Sequence, residues 1–380
     1  MSSQPSLLTP NSLKPSSPRV IISGGGTGGH IYPAIAIANA IRDVAPSAEI
    51  LFVGAEGKME MEKVPKAGYQ IIGLPIAGIQ RKLSLENLSF PIKLAKSLLK
   101  ARGIIKEFKP DVAVGVGGYA SGPLLLAAGM IGIPFLIQEQ NSYAGITNKF
   151  LSKKAKKICV AYPGMEAFFA AEKILITGNP VRKDILDASS KREAAVKHFG
   201  MDATKKTLLI IGGSQGAKTI NESIDKGLGE LINAGYQVVW QTGKLFVEKA
   251  KETVKYLKAK GVYVSDFIYE MDLAYALADV VVSRAGALSV SEICLVAKPA
   301  IFVPFPFAAE DHQTKNALSL VHENAGLLVK DSEAKEKLVT ETLALLQNPE
   351  KQHVLSKNIL KLAKPDAAGE IAEQVLKLIP

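Results

Sequence analysis

Arg19-Val-Ile-Ile-Ser-Gly-Gly-Gly-Thr-Gly-Gly-His30 runs an apolar strand straight into a glycine-rich turn, and Pro33-Ala-Ile-Ala-Ile-Ala-Asn-Ala-Ile41 continues it as a helix. A turn of this kind leaves bare backbone N–H groups at a helix N-terminus, where the aligned peptide dipoles amount to roughly +0.5 charge, so it attracts phosphate. The arrangement recurs in the second half. Thr207-Leu-Leu-Ile-Ile211 leads into Gly212-Gly-Ser-Gln-Gly216, and an apolar-periodic stretch follows from Ala217 to Ile232. Two anion-binding turns on two half-chains imply two domains that bring two anionic groups together between them.

The rest of the chain fits this division. Its 380 residues, 47% of them apolar, suffice for two domains with real cores. Strand-like runs alternate with helical stretches: Glu49 to Val53, Asp111 to Gly115, Pro134 to Ile137, Lys157 to Val160 and Lys173 to Ile176. The pattern restarts with Gln237 to Trp240, Val262 to Val264, Asp279 to Val282 and Pro299 to Val303. Such alternation predicts α/β architecture, two doubly wound parallel-sheet (Rossmann-like) domains facing an interdomain cleft. The boundaries read as a Ser/Pro-rich disordered tail over 1–18, a first domain over 19–180 and a second over 181–365. A last helix over 366–380 is placed to pack back on the first domain. Gly178-Asn-Pro-Val-Arg182 reads as the hinge.

Several functions are disfavoured at this level. Gly24, Gly26 and Gly29 satisfy G-x-G-x-x-G, but Val53-Gly54-Ala55 lacks the acid that would hold a dinucleotide ribose, Glu56 arrives late, and the second domain has its own phosphate turn. No apolar run reaches the ~20 residues a membrane span requires, and the N-terminus lacks a signal-peptide pattern, which places the chain in the cytoplasm. Cys159 and Cys294 lack metal-ligand spacing and read as reduced core residues.

Six blocks, taken together, resemble the MurG family of peptidoglycan synthesis: Gly24 to His30, Gly115-Val-Gly-Gly-Tyr-Ala-Ser-Gly-Pro123, Glu139-Gln-Asn141, Gly178 to Arg182, Gly212-Gly-Ser-Gln-Gly-Ala217 and Arg284-Ala-Gly-Ala-Leu-Ser-Val-Ser-Glu292. The resemblance runs from about residue 19 to about residue 317. It implies a GT-B fold and inverting transfer of GlcNAc from UDP-GlcNAc to the C4 hydroxyl of MurNAc in lipid I, with neither cofactor nor metal. Another UDP-GlcNAc enzyme on the same scaffold, a 2-epimerase or glycolipid synthase, is the alternative, and a non-catalytic binding protein is the third reading.

The residues carry chemistry that can be weighed beside this resemblance. With no Asp-x-Asp pair, a departing pyrophosphate has to be stabilised by fixed dipoles. Ser214, Gly216 and the helix after them are the candidates, Arg182 adding charge; a helix cap is the other reading of Ser214. Ser289-Val-Ser-Glu292 matches a capping box, yet Glu292 could instead accept from the ribose hydroxyls, as the resemblance implies. The resemblance further implies that Ile268 meets uracil through its backbone, that Ala287, Leu288, Gln313 and Asn141 line the ribose and sugar, and that Thr27, Gly28 and Gly29 reach the donor. His312 could stand in for Gln313, since the register of 305–313 is open. His30 is the candidate base, with loop ordering as its other reading. Glu139 is the second candidate base, or it orients the loop carrying Asn141. Gly26, Gly118, Tyr119 and Ser121 are candidates for the acceptor pyrophosphate, and the second glycine turn could also be only a tight connection.

Net charge is +10, which implies an anionic partner. Between Ile76 and Lys109, Arg81, Lys82, Lys93, Lys96, Lys100, Arg102, Lys106 and Lys109 interleave with apolar residues and only Glu86 and Glu107. This reads as a basic amphipathic stretch docking reversibly on the anionic cytoplasmic face of the inner membrane, or as a solvated helix with an ordinary core face. Few interleaved aromatics argue against nucleic acid. Cell-wall synthesis proteins are further partners implied by the resemblance.

Overall fold

The computed structural model describes residues 17–76, 90–213 and 215–380. Ser214, the expected tail up to residue 16 and part of the basic stretch, including Arg81, Lys82 and Glu86, lie outside them. Two wholly parallel sheets organise the chain. The first contains β1 (Arg19–Ser23), β2 (Glu49–Ala55), β3 (Gln70–Leu74), β4 (Val112–Gly115), β5 (Phe135–Glu139), β6 (Lys157–Val160) and β7 (Ile174–Ile176), in the order β3-β2-β1-β4-β5-β6-β7. The second contains β8 (Thr207–Ile211), β9 (Gln237–Gln241), β10 (Val262–Ser265), β11 (Val280–Ser283), β12 (Ala300–Phe302) and β13 (Leu327–Leu328), in the order β10-β9-β8-β11-β12-β13. β3 and β13 have no counterpart in the sequence reading.

Helices cover both faces, which is why central strands are continuously apolar rather than alternating. Along β1, Ile21 joins the core on one face while Val20 and Ile22 join that on the other. β8 divides its residues in the same way, Leu209 and Ile211 to one side and Leu208 and Ile210 to the other. Each side chain sealed off like this contributes roughly 1.5–3 kcal/mol. The chain ends in helix Ala367–Leu376, whose Ile371, Ala372 and Val375 pack into the core beneath helix Gly28–Val44 of the first sheet. Both cysteines are free and buried, and desolvation pushes each thiol up to about 12.

The strand orders fix where ligands can bind. In each sheet the winding reverses, between β1 and β4 in the first and between β8 and β11 in the second. The connections leaving paired strands there part to opposite faces and open a crevice beyond their carboxyl ends. The glycine turns at 24–27 and 116–120 follow β1 and β4 into the first crevice; Gly212, Gly213 and Gly216 after β8, and 284–286 after β11, mark the second.

Candidate active site

The two turns of the first domain touch backbone to backbone. Gly25 N–H donates to the Gly117 carbonyl at 3.3 Å, and a Cβ on Gly118, whose φ is +87°, would fall 2.3 Å from the Gly25 oxygen. Only glycine tolerates both the close approach and the left-handed backbone. Underneath lies a residue the sequence reading did not single out. Fully buried Glu60 accepts from Gly26 N–H at 2.9 Å and from Ala55 N–H at 3.0 Å, tying the first turn to the end of β2.

His30 occupies the first turn of helix Gly28–Val44, after Thr27 at the N-cap. Its Nδ1 lies 3.1 Å from the Gly25 carbonyl and 3.4 Å from Thr27 Oγ1. A carbonyl can only accept, so Nδ1 carries the proton and Nε2 presents a lone pair beside Gly117. Burial lowers the pKa of His30 below 6.5; the Gly25 hydrogen bond raises it, and His312 adds a further lowering contribution. The ring is therefore neutral and basic at neutral pH.

A cavity of about 320 Å³ opens in front of this ring. Thr27, His30, Gly118 and Tyr119 line it from the glycine turns, Glu139 and Asn141 from the end of β5, and Glu310 and His312 from the second domain. The two candidate carboxylate and imidazole bases differ sharply in their surroundings. Glu139 is buried, Oε1 accepting from Asn141 N–H at 3.1 Å and Oε2 from Gly145 N–H at 3.0 Å and Asn148 Nδ2 at 2.8 Å. Ser121 departs from its expected position: it is fully buried, and its hydroxyl lies 2.9 Å from the Ser23 carbonyl and 2.8 Å from that of Gly117, so it faces the strand ends rather than the cavity.

The second domain offers two helix N-termini at its crevice. Helix Lys218–Asn233 starts after Ala217 and helix Ala287–Leu295 after Gly286, neither with a capping side chain. Ser289 is thus inside the second helix, so the capping box expected with Glu292 does not form. Glu292 instead accepts from Tyr275 Oη at 3.0 Å. Burial raises its pKa, opposed by the Arg182 charge and the tyrosine hydrogen bond. Gln241, also missed from sequence, stitches this crevice together: its Nε2 donates to Gly213 C=O at 3.1 Å and its Oε1 accepts from Ile268 N–H at 3.0 Å. That bond occupies the Ile268 N–H. Ala287 and Leu288 open their helix partly exposed. Gln313 Oε1 accepts from Phe305 N–H at 2.9 Å, which holds the 305–313 loop, while His312 beside it is the residue that reaches the cavity.

Direct bonds join the domains. Fully buried Asn316 accepts from Ser142 N–H at 3.1 Å and Ser142 Oγ at 2.9 Å and donates to the Ala285 carbonyl at 3.2 Å. In the hinge, Asn179 Nδ2 lies 3.0 Å from both the Gln140 carbonyl and Ser291 Oγ.

Comparison with known proteins agrees with this construction. The glycosyltransferase family 28 N-terminal domain matches residues 20–160 and the family 28 C-terminal domain matches 207–371. A relative from Cytophaga hutchinsonii, named UDP-N-acetylglucosamine--N-acetylmuramyl-(pentapeptide) pyrophosphoryl-undecaprenol N-acetylglucosamine transferase, is 58% identical over 361 residues, covering 95% of this chain and 97% of its own. The crystal structure of Acinetobacter baumannii MurG superposes with a TM-score of 0.76 at 30% identity, over 95% of this chain and 99% of that one. A UDP-GlcNAc 2-epimerase from Neisseria meningitidis, TM-score 0.67 over 95% and 100% of the two chains, is 14% identical and shares the fold alone.

Two doubly wound parallel sheets on either side of one cleft form a GT-B fold, and the family matches over both domains make it that of a glycosyltransferase. The chain belongs to glycosyltransferase family 28 and, within it, to the MurG family.

Proposed function

We propose that the chain transfers GlcNAc from UDP-GlcNAc to the C4 hydroxyl of MurNAc in lipid I, giving lipid II. The observation that carries this reading is the cavity in front of His30, lined by its neutral imidazole and, from the second domain, by Glu310 and His312. In the proposed reaction the acceptor hydroxyl attacks the anomeric carbon from the side opposite UDP, which inverts it. His30 Nε2 takes the hydroxyl proton as the bond forms. Negative charge grows on the departing UDP, and the uncapped N-termini of helices Lys218–Asn233 and Ala287–Leu295, with Arg182, stabilise it without a metal.

Roles for the other residues follow from their surroundings. Glu139, saturated with donors, orients the loop that carries Asn141 toward the sugar. Ser121 and Glu60 hold the two glycine turns, while Gly26, Gly118 and Tyr119 offer backbone and ring to the acceptor pyrophosphate. Thr27, Gly28 and Gly29 lie at the helix start that meets the donor. Glu292 takes the ribose hydroxyls, Ile268 the uracil through its carbonyl, and Ala287, Leu288 and Gln313 the sugar side, with Ser214 and Gly216 at the phosphates.

The acceptor's lipid places the reaction at a membrane surface. Among the described residues no helix is long and apolar enough to cross one. Helix Phe90–Phe108 turns Leu94, Leu98, Ala101 and Ile104 into the core but leaves Ile92 and Leu99 outside, with Lys96, Lys100 and Lys106 exposed. Helix Ser121–Ile131 packs between it and helix Ile146–Leu151 and exposes Met130, while the last exposes Ile146 and Phe150. Apolar side chains ringed by lysines suit reversible docking on anionic lipid at the cytoplasmic face of the inner membrane.

The test is UDP release from UDP-GlcNAc with EDTA present, with and without a lipid I analogue, for the unaltered chain and for His30→Ala. Release that needs the analogue and survives chelation is expected, with His30→Ala losing turnover but keeping donor binding. Release that proceeds without any acceptor would favour an epimerase.

A further inference from the structure

The hydrogen bond between Tyr275 and Glu292 joins two elements that the proposed donor site uses separately. Ile268 stands in the loop after β10. Helix Met271–Leu277 follows it, then β11, the turn at 284–286 and helix Ala287–Leu295, which carries Glu292 in its second turn. The 3.0 Å bond from Tyr275 Oη to Glu292 Oε2 closes this circuit, tying the element next to the uracil contact to the element that reaches the ribose. The loop itself is held as well, since Gln241 Oε1 accepts from Ile268 N–H at 3.0 Å.

The two partners differ in freedom. Tyr275 is fully buried, its helix packs on helix Arg192–Phe199 and on β8, and it shares one core cluster with Ile268, Met271, Ala274 and Leu277. Packing holds its ring. Burial, and then the facing Glu292 carboxylate, keep the phenol well above 10, so Oη retains its proton and donates. Glu292 is partly exposed on a helix surface, where a glutamate has several rotamers to lose when a ligand fixes it. A donor anchored on Oε2 removes that freedom in advance, and a carboxylate with about four acceptor sites still has Oε1 for a vicinal diol. The charges that face the carboxylate are Arg182, which attracts it, and Asp184, which repels it. Neither influence is directional, whereas the tyrosine hydrogen bond is.

We propose that Tyr275 is a positioning residue for the transfer: its hydroxyl holds the Glu292 carboxylate in the orientation that receives the two ribose hydroxyls of the donor, and so keeps the uracil and ribose contacts in register. The inference rests on the reading that Glu292 takes the ribose. Tyr275 lies beneath the surface and acts through Glu292. Its contribution therefore appears only with ligands that carry the ribose diol.

The test compares UDP with 2′,3′-dideoxyuridine 5′-diphosphate by calorimetry, in the unaltered chain, Tyr275→Phe and Glu292→Gln. Tyr275→Phe keeps the ring in the core and leaves the partly exposed Glu292 within reach of water, so the fold survives the change. This variant is expected to weaken UDP about fivefold and the dideoxy ligand less than about twofold. Glu292→Gln is expected to weaken UDP at least as much, with the same selectivity. In the transfer assay KM for UDP-GlcNAc should rise in Tyr275→Phe by the factor seen for UDP, with kcat changing less. If Tyr275→Phe weakens both ligands alike, or neither, while Glu292→Gln remains selective, the bond serves packing alone and the proposal is overturned. If Glu292→Gln leaves UDP affinity unaltered or weakens both ligands alike, the ribose reading falls and the proposal falls with it.

Discussion

His30 illustrates how one hydrogen bond selects a chemical role. Because Gly25 C=O takes the Nδ1 proton, the lone pair is on Nε2, and because burial lowers the pKa below 6.5 that lone pair stays available at neutral pH. Two outcomes follow. His30→Ala should lower kcat by about 10²–10⁴ with little change in UDP-GlcNAc affinity, read by steady-state kinetics beside calorimetry. The acid limb of kcat/KM should lie below 6.5 and move up toward it in His312→Gln, which removes one of the lowering influences. Stability moves in the same direction: below 6.5 the unfolded chain takes up a proton the folded site resists, so stability falls as pH drops from 6.5 to the lowered native value. Glu292 behaves oppositely as an acid. Its raised pKa means the carboxylate is neutralised at a higher pH than usual, so donor affinity should fade on acidification above 4.5. Glu292→Gln should weaken UDP-GlcNAc binding by about 1.5–3 kcal/mol at pH 7, while an unchanged affinity would leave Glu292 only its bond to Tyr275. His30 and Glu139 could be singled out in the sequence because they stand at a helix start and a strand end within recognisable blocks, and Glu292 because it closes such a block, although it lies in the second turn of its helix. Glu60, Gln241, Tyr275 and Asn316 were not, since each acts on a group distant in sequence: Glu60 lies 34 residues from Gly26, and Asn316 lies 174 from Ser142.

Among elements, the paired glycine turns depend on the short helix Glu60–Lys66 that delivers Glu60 beneath them. Glu60→Ala would leave the Gly26 and Ala55 N–H groups without their acceptor, at a cost on the order of 1–3 kcal/mol, visible as a lowered melting temperature together with weaker binding of lipid I analogues. Glu60→Gln should not rescue it, because the amide turns an NH2 toward one of two donors. The outward faces make a separate prediction: Ile146→Ser/Phe150→Ser should lose binding to vesicles containing anionic lipid while keeping UDP-GlcNAc affinity, and sedimentation with vesicles checks it. Retained vesicle binding would remove helix Ile146–Leu151 from the docking face. The central strands could be read from sequence since burial on both faces makes them continuous apolar runs. β3 and β13 escaped for the converse reason. β3, interrupted by Gly73, pairs among the described residues with β2 alone, and β13 is two residues whose strand character comes from the neighbouring β12. Their local signal is weak, and the finished sheet supplies the rest.

At the scale of the whole molecule, domain arrangement is decided by few groups. Polar bonds across the cleft, unlike a large apolar interface, leave closure responsive to ligand. Asn316 is the most concentrated of these bonds, since one side chain grips both the N–H and the hydroxyl of Ser142 and is itself held by Ala285 C=O beside the donor crevice. It therefore links the loop carrying Asn141, on one side of the cleft, to the helix N-terminus at Ala287 on the other. Breaking that grip should shift the population toward open arrangements and reduce apparent donor affinity by the fraction of closed molecules lost. Losing three interdomain hydrogen bonds, two from Ser142 and one to Asn141 Oδ1 at 3.4 Å, at about 0.5–1.5 kcal/mol each predicts a rise in KM for UDP-GlcNAc worth about 1.5–4.5 kcal/mol in Asn316→Ala. Ser142→Ala, which removes only the hydroxyl, should show a smaller rise. Both variants should gain radius of gyration by small-angle scattering without donor and return to the compact value at saturation. An expanded Asn316→Ala that binds donor normally would mean the clasp shapes the resting molecule but contributes nothing to capture, and the hinge bonds of Asn179 would then carry closure instead.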